Sequence, residues 1–163
     1  MSGPERESLS RLAADAVAAL KARGFTIATA EATTGGLIGH LLTEVPGSSA
    51  VFVGGVAPYW NNLKEAIGVP AAVLRDHGAV SAEVAEALAR AVRDWSGARI
   101  GLAETGIAGP GGGSEGRPAG LFYIALATEA GVTSERHEFP HDRAGNRCAC
   151  AEAALRILTN ALV

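Results

Sequence analysis

The sequence predicts one three-layer α/β/α domain on a mixed, mostly parallel sheet, and three observations lead there. Short apolar runs alternate with longer stretches of helical periodicity, which argues for strands covered on both faces. Two runs late in the chain, 121–128 and 132–139, are separated by little more than Glu129-Ala130-Gly131, so one strand returns against its neighbour as a hairpin. The 163 residues, 48% of them hydrophobic, suffice for one complete core and fall short of two, so the domain is expected to span 1–163.

Each element has its own signal. Residues 5–23 place Leu9, Leu12, Ala13, Ala16, Val17 and Leu20 at helical spacing and stop at Gly24, giving an amphipathic opening helix. Residues 25–29 read as a short buried strand. Residues 35–44 read as a helix whose first amides face the turn "AEATTGG". Pro46-Gly47-Ser48-Ser49 interrupts the chain before a second, valine-containing strand at 50–57. Between Pro58 and Leu74 only a short helix at 61–67 is expected, ended by Gly68 and Pro70. A helix at 81–95 has Ser81 as its cap, Glu83 and Glu86 in its first turns, and Val84, Leu88, Ala91 and Val92 on one face. Strands at 99–105 and 121–128 flank the loop "GIAGPGGGSEGRPAG", the strand at 132–139 completes the hairpin, and a long helix at 142–162 closes the chain. Cys148 and Cys150 lie two apart on that helix and point in different directions, so both are expected to be reduced structural thiols.

Composition excludes several functions. A net charge of -3 with scattered Lys and Arg gives no electrostatic footprint for nucleic acid. No apolar stretch approaches the roughly 18 residues that cross a bilayer, and the polar start MSGPERESLSR is unlike a signal peptide, so a cytoplasmic protein without a membrane partner is expected. The four histidines, His40, His77, His137 and His141, show no ligand spacing, and neither a metal nor another cofactor is expected.

Three segments carry polar or glycine patterns suited to chemistry. Thr33-Thr34-Gly35-Gly36 stands at a helix start, where unpaired amides favour a phosphate or carboxylate, although an ordinary threonine cap explains the same residues. The chain lacks GxxxxGK[ST], which rules out that phosphate signature. "GIAGPGGG" puts Gly106, Gly109, Gly111, Gly112 and Gly113 into eight residues after Thr105, as a backbone that must come close to a ligand would require, or as a merely flexible loop would. "PYWNNLK" supplies Tyr59, Asn61 and Lys64 after a strand; a buried lysine can give up its charge and act as a base, while an exposed one simply stays solvated. Asp142, Arg143 and Arg147 open the last helix, where the arginines either meet an anion or lie on the surface.

At these residues the sequence resembles the CinA C-terminal domain family, whose stand-alone form is known as nicotinamide-mononucleotide deamidase. The resemblance covers nearly the whole chain and rests on "AEATTGGLIGHLLTEVPGSSAVFVGGV", "YWNNLKEAIGVP", "HGAVSAEVAEALA", "TGIAGPGGGSEGRPAG" and the weaker "FPHDRAGNR". It implies hydrolysis of nicotinamide mononucleotide to nicotinic acid mononucleotide and ammonia, within pyridine nucleotide recycling and without a metal. The implied chemistry is that of a serine amidohydrolase: a hydroxyl attacks the amide carbonyl, a lysine takes its proton and backbone amides hold the oxyanion. Self-association into a homo-oligomer is implied as well.

Carried over residue by residue, the resemblance makes Lys64, Tyr59 and Thr105 catalytic candidates, and the vacancy at its nucleophile position adds Thr33 and Glu104 as replacements. The resemblance makes Glu31, Ala32, Thr34, Gly35, Gly36, Asn61, Gly106, Gly109, Gly111, Gly112 and Arg143 the nucleotide-binding candidates. Three positions depart from the family. Its turn commonly reads Ala-Glu-Ser-Cys-Thr-Gly-Gly, so Ala32 stands where its serine nucleophile would be. Trp60 replaces a small hydroxyl residue, and Glu104 replaces a small or apolar one. Three readings follow: Thr33 supplies the missing hydroxyl; Glu104 activates water directly; or the site binds a nucleotide without turnover. A rival from another class is an assembly module with Trp60 and Trp95 at a subunit interface.

Overall fold

The computed structural model describes residues 3–163, with side chains from Arg6 onward; Met1 and Ser2 of the expected 1–163 span lie outside it. It contains α1 (Gly3–Arg23), β1 (Ile27–Glu31), α2 (Leu37–Thr43), a 3₁₀ turn (Ser48–Ala50), β2 (Phe52–Val56), α3 (Asn61–Ala66), α4 (Ala71–His77), α5 (Ala82–Ser96), β3 (Ile100–Gly106), β4 (Leu121–Thr128), β5 (Gly131–Glu138) and α6 (Arg143–Leu162). The sheet runs β2-β1-β3-β4-β5. β1 pairs in parallel with both β2 and β3, β4 is reversed, and β5 turns back on β4 as the expected hairpin. Four strands thus share one direction.

Two cores make the three layers. Ile27, Ile100, Leu102, Phe122 and Ile124 point to the face covered by α1, α2 and α6. The opposite face is paved with small side chains, Ala28, Ala30, Ala103, Ala125 and Ala127, against which α5 packs through Val84, Leu88 and Val92. That paving lets α5 lie very close to β3. A Cβ on Gly101 would stand 2.0 Å from the Ala89 carbonyl oxygen, a backbone atom that no rotamer change can remove. Gly101→Ala is therefore expected to cost at least about 3 kcal/mol, because the whole helix must shift. Urea unfolding measures it, and an unchanged midpoint would contradict this packing.

Several expected boundaries need correction. The first strand is Ile27–Glu31, two residues later than 25–29, because α1 closes through Phe25 N–H donating to the Leu20 carbonyl before pairing begins. α2 begins at Leu37 and the second strand at Phe52, since the Gly35-Gly36 turn and the 3₁₀ turn use the preceding residues. α4 was not expected at all. Pro70, read as a breaker, is its N-cap, where a missing N–H costs nothing. Ser81 caps α5 as expected, and Asp142, read only as opening the last helix, caps α6, each side chain accepting an amide three residues on. Cys150 is buried and Cys148 partly so, both as free thiols. Burial pushes the Cys150 thiol up, and the carboxyls of Glu104 and Glu31 push it further. No helix among the described residues is long and apolar enough to cross a membrane.

Candidate functional site

The chain leaves β1 toward β2 on one side and reaches β3 on the other, so strand order reverses between β1 and β3. In open α/β sheets that reversal opens a crevice at the carboxyl ends of the strands. A cavity of about 320 Å³ lies there, and Ala32, Thr33, Tyr59, Lys64, Thr105, Gly106, Gly109, Gly111, Gly112 and Arg143 all line it. Ten of the sixteen candidate residues, scattered over more than a hundred positions, are thereby brought together. Ala79 and Val80, which sequence reasoning passed over, form another wall, and Thr105 Oγ1 donates to the Ala79 carbonyl at 2.7 Å. A larger cavity of about 660 Å³ lies between α1 and the start of α6, lined by Ser8, His141, Cys148 and Glu152 among others, and gathers none of the sixteen. The smaller one is the candidate because it sits where the topology places ligands.

The other six candidates lie beneath or beside the cavity. Glu31, the last residue of β1, and Glu104, two residues before the end of β3, lie in direct register and are 1% and 0% exposed. Glu31 accepts four donors: Thr29 Oγ1 and the Gly39 amide at Oε1, Thr34 Oγ1 and the Ile38 amide at Oε2. The sequence left the amides at the start of α2 open between a ligand anion and an ordinary threonine cap; Glu31 occupies those of Ile38 and Gly39. Glu104 Oε1 accepts the Thr33 amide at 2.7 Å, the Thr34 amide at 2.8 Å and faces Thr34 Oγ1 at 2.9 Å, while Oε2 meets no donor among the described residues. Burial raises the Glu104 carboxyl to about 7, against the pull of the Thr34 and Thr33 amides and with a further push from Glu31. Thr34 is fully buried in the same network. Gly35 and Gly36, both at positive φ, shape the turn, and Asn61 is exposed at the start of α3.

The turn is clamped from three directions. Arg147, left open as a surface residue in the sequence, reaches back from α6 so that Nε and Nη2 donate to the Thr33 and Thr34 carbonyls at 3.2 and 2.5 Å. Glu104 takes the amides of the same residues. Thr33 Oγ1 donates to the Gly106 carbonyl at 3.0 Å and accepts its amide at 2.9 Å, so this hydroxyl stitches two loops together. The signal for Arg147 was weak, since an arginine one helical turn from Arg143 reads equally well as surface.

Lys64 is 2% exposed although it lines the cavity, and its Nζ donates to the Tyr59 carbonyl at 3.0 Å. Burial lowers its pKa, and the charge of Glu104 partly opposes that shift. Tyr59 is more than half exposed at the rim. In the glycine loop, the amides of Gly109, Gly111 and Gly112 donate to no backbone or side-chain group among the described residues. Arg143 stands beside them with Nη1 donating to the Gly109 carbonyl at 2.9 Å. Open amides next to a guanidinium are suited to a phosphate. Among the described residues no three His, Cys, Asp or Glu side chains cluster as metal ligands would.

Comparison with known proteins gives a consistent picture. The family model described as CinA C-terminal domain matches residues 9–162. A CinA-like protein of Geobacter sulfurreducens is 47% identical over 142 residues, 86% of this chain and 34% of the relative. One from Salinibacter ruber is 46% identical over 138 residues, 84% of this chain and again 34% of the relative, so the chain spans about a third of these curated proteins. Among solved structures, the competence/damage inducible protein CihA from Agrobacterium tumefaciens superposes with a TM-score of 0.90 at 37% identity, covering 95% of each chain. A CinA superfamily protein from Klebsiella pneumoniae gives a TM-score of 0.91 at 29% identity, covering 94% of this chain and 97% of the other.

Proposed function

Because the chain belongs to the CinA C-terminal domain family, we propose that its cavity binds nicotinamide mononucleotide, or a close pyridine mononucleotide, without forming a covalent intermediate. One observation carries this reading: the turn offers no free hydroxyl for attack. Position 32 holds a methyl, and the hydroxyls of Thr33, Thr34 and Thr105 are all engaged in holding the scaffold. Against Thr33 as a substitute for the serine stands the cost of freeing its hydroxyl from Gly106 before it could attack. Glu104 is no better placed to activate water, since it lies under the turn and does not line the cavity.

Binding has the groups it needs. The open amides of the glycine loop and Arg143 suit the phosphate, while Lys64 and Tyr59 face the remainder of the ligand. At about 320 Å³ the cavity lies at the lower end of the usual range of roughly 300–1,000 Å³, a fit for a mononucleotide rather than a dinucleotide. A second reading, direct attack by water on the carboxamide, is favoured by Lys64 alone, because burial moves it toward the neutral amine that a base requires. Trp60, 73% exposed beside the rim, remains the strongest residue for the proposed self-association.

Titration calorimetry with nicotinamide mononucleotide, with ammonia release followed in parallel, tests the reading. The unaltered protein is expected to bind and to release no ammonia above the buffer rate, and Lys64→Ala and Arg143→Ala are each expected to weaken binding about tenfold. Absence of binding would overturn the proposal. Turnover near an ordinary enzyme rate, roughly 1 s⁻¹ or faster, that disappears in Lys64→Ala would replace it with the water mechanism.

A further inference from the structure

The two amides that follow Ala32 are already spent. In nucleophile turns of α/β hydrolases the amide after the nucleophile is an oxyanion donor, and losing one such donor costs roughly 10²–10³ in kcat. Here the amides of Thr33 and Thr34 both point at Glu104 Oε1, at 2.7 and 2.8 Å. Arg147 holds the carbonyls of the same two residues from the other side, so the peptides cannot turn their N–H groups toward the cavity while both clamps stay in place. Glu104 itself is 0% exposed, directly under cavity-lining Ala32, whose amide donates to the Glu104 carbonyl at 3.2 Å.

We propose that Glu104 plugs, from within the chain, an anion nest formed by the Thr33 and Thr34 amides, and that Ala32 and Glu104 together hold this protein in a binding-only state. The inference rests on the pocket being a pyridine mononucleotide site and adds a second lock to it. Serine at position 32 alone would meet a turn whose donors are occupied. Either protonation state of Glu104 plugs the nest, because Oε1 accepts the amides whether or not the acid is ionised. An emptied nest would take a carboxylate or a developing oxyanion, and nicotinic acid mononucleotide carries such a carboxylate.

The experiment compares Ala32→Ser, Glu104→Ala, the Ala32→Ser/Glu104→Ala pair and the Ala32→Ser/Glu104→Gln pair. Ammonia release from nicotinamide mononucleotide is expected to stay at background in Ala32→Ser, to rise about 100-fold or more when Glu104→Ala is added, and to stay low with Glu104→Gln, whose amide oxygen still caps the turn. A rate in Ala32→Ser equal to that of the Ala pair overturns the proposal, as does a rise in the Gln pair. Should Glu104→Ala fail to fold, the Gln pair decides in the same way: no rise supports the plug and a rise refutes it. Formate provides a probe that does not depend on the nucleotide. It is expected to raise the melting temperature of Glu104→Ala above that in matched chloride and to leave the unaltered protein unmoved; no shift in the variant refutes the nest. Failure of the unaltered protein to bind the nucleotide, with the formate shift present, would sink the functional reading and leave the nest standing.

Discussion

Glu31→Ala is expected to destabilise the fold by roughly 4 kcal/mol, and only secondarily to affect any ligand. The carboxylate accepts two backbone amides at the start of α2, Ile38 and Gly39, each at 2.8 Å, together with two threonine hydroxyls. Removing it orphans the buried Ile38 amide and the part-buried Gly39 amide, and each buried donor left alone costs about 1–3 kcal/mol. The hydroxyls can rotate to other partners and the amides cannot. Glu31→Gln keeps one acceptor oxygen and is expected to lose about half as much. Urea unfolding of the three proteins checks this. If Glu31→Ala unfolded at the midpoint of the unaltered protein while losing affinity for nicotinamide mononucleotide, Glu31 would be a ligand contact after all, as the family resemblance implies.

This result bears on how far the site could be read from the chain. Periodicity located the strands and the long helices, and the cap at Ser81 was legible because a side-chain oxygen before an apolar helical run has one obvious use. The gathering of Tyr59, Lys64, Thr105, the glycine loop and Arg143 was legible too, since each follows a strand or opens a helix. What stayed hidden was which carboxylates belong to the ligand and which to the fold. A buried Glu normally marks a functional site, yet Glu31 and Glu104 are buried because they cap the turn and the first turn of α2. That role appears only once β1 and β3 are known to pair with Glu31 beside Glu104. α4 was hidden for a similar reason. Pro70 reads as a stop until Val69 and Leu74, buried in one cluster with Leu88 and Val92, show why the chain re-enters a helix there.

The pH dependence of stability is expected to report on Glu104. Its carboxyl is raised from about 4.5 to about 7, chiefly by burial, so the folded protein holds this proton more tightly than the unfolded chain does. The contribution to stability is complete below pH 4.5 and is lost as pH rises through about 7. The shift corresponds to roughly 3 kcal/mol between the two limits. The geometry explains the direction: Oε2 meets no donor among the described residues, so ionisation leaves a charged oxygen buried and bare, while Oε1 keeps its two amides in either form. Glu104→Gln retains the acceptor and removes the titration. Unfolding free energies at pH 4.5 and pH 8 are therefore expected to diverge, the unaltered protein losing about 3 kcal/mol relative to the variant across that interval. Parallel profiles for the two proteins would mean that Glu104 ionises freely in the folded state and has found a donor at Oε2. A cation drawn under the turn is the natural candidate, and Lys64, whose amine already senses this charge, is the nearest one to test by Lys64→Met in the same assay.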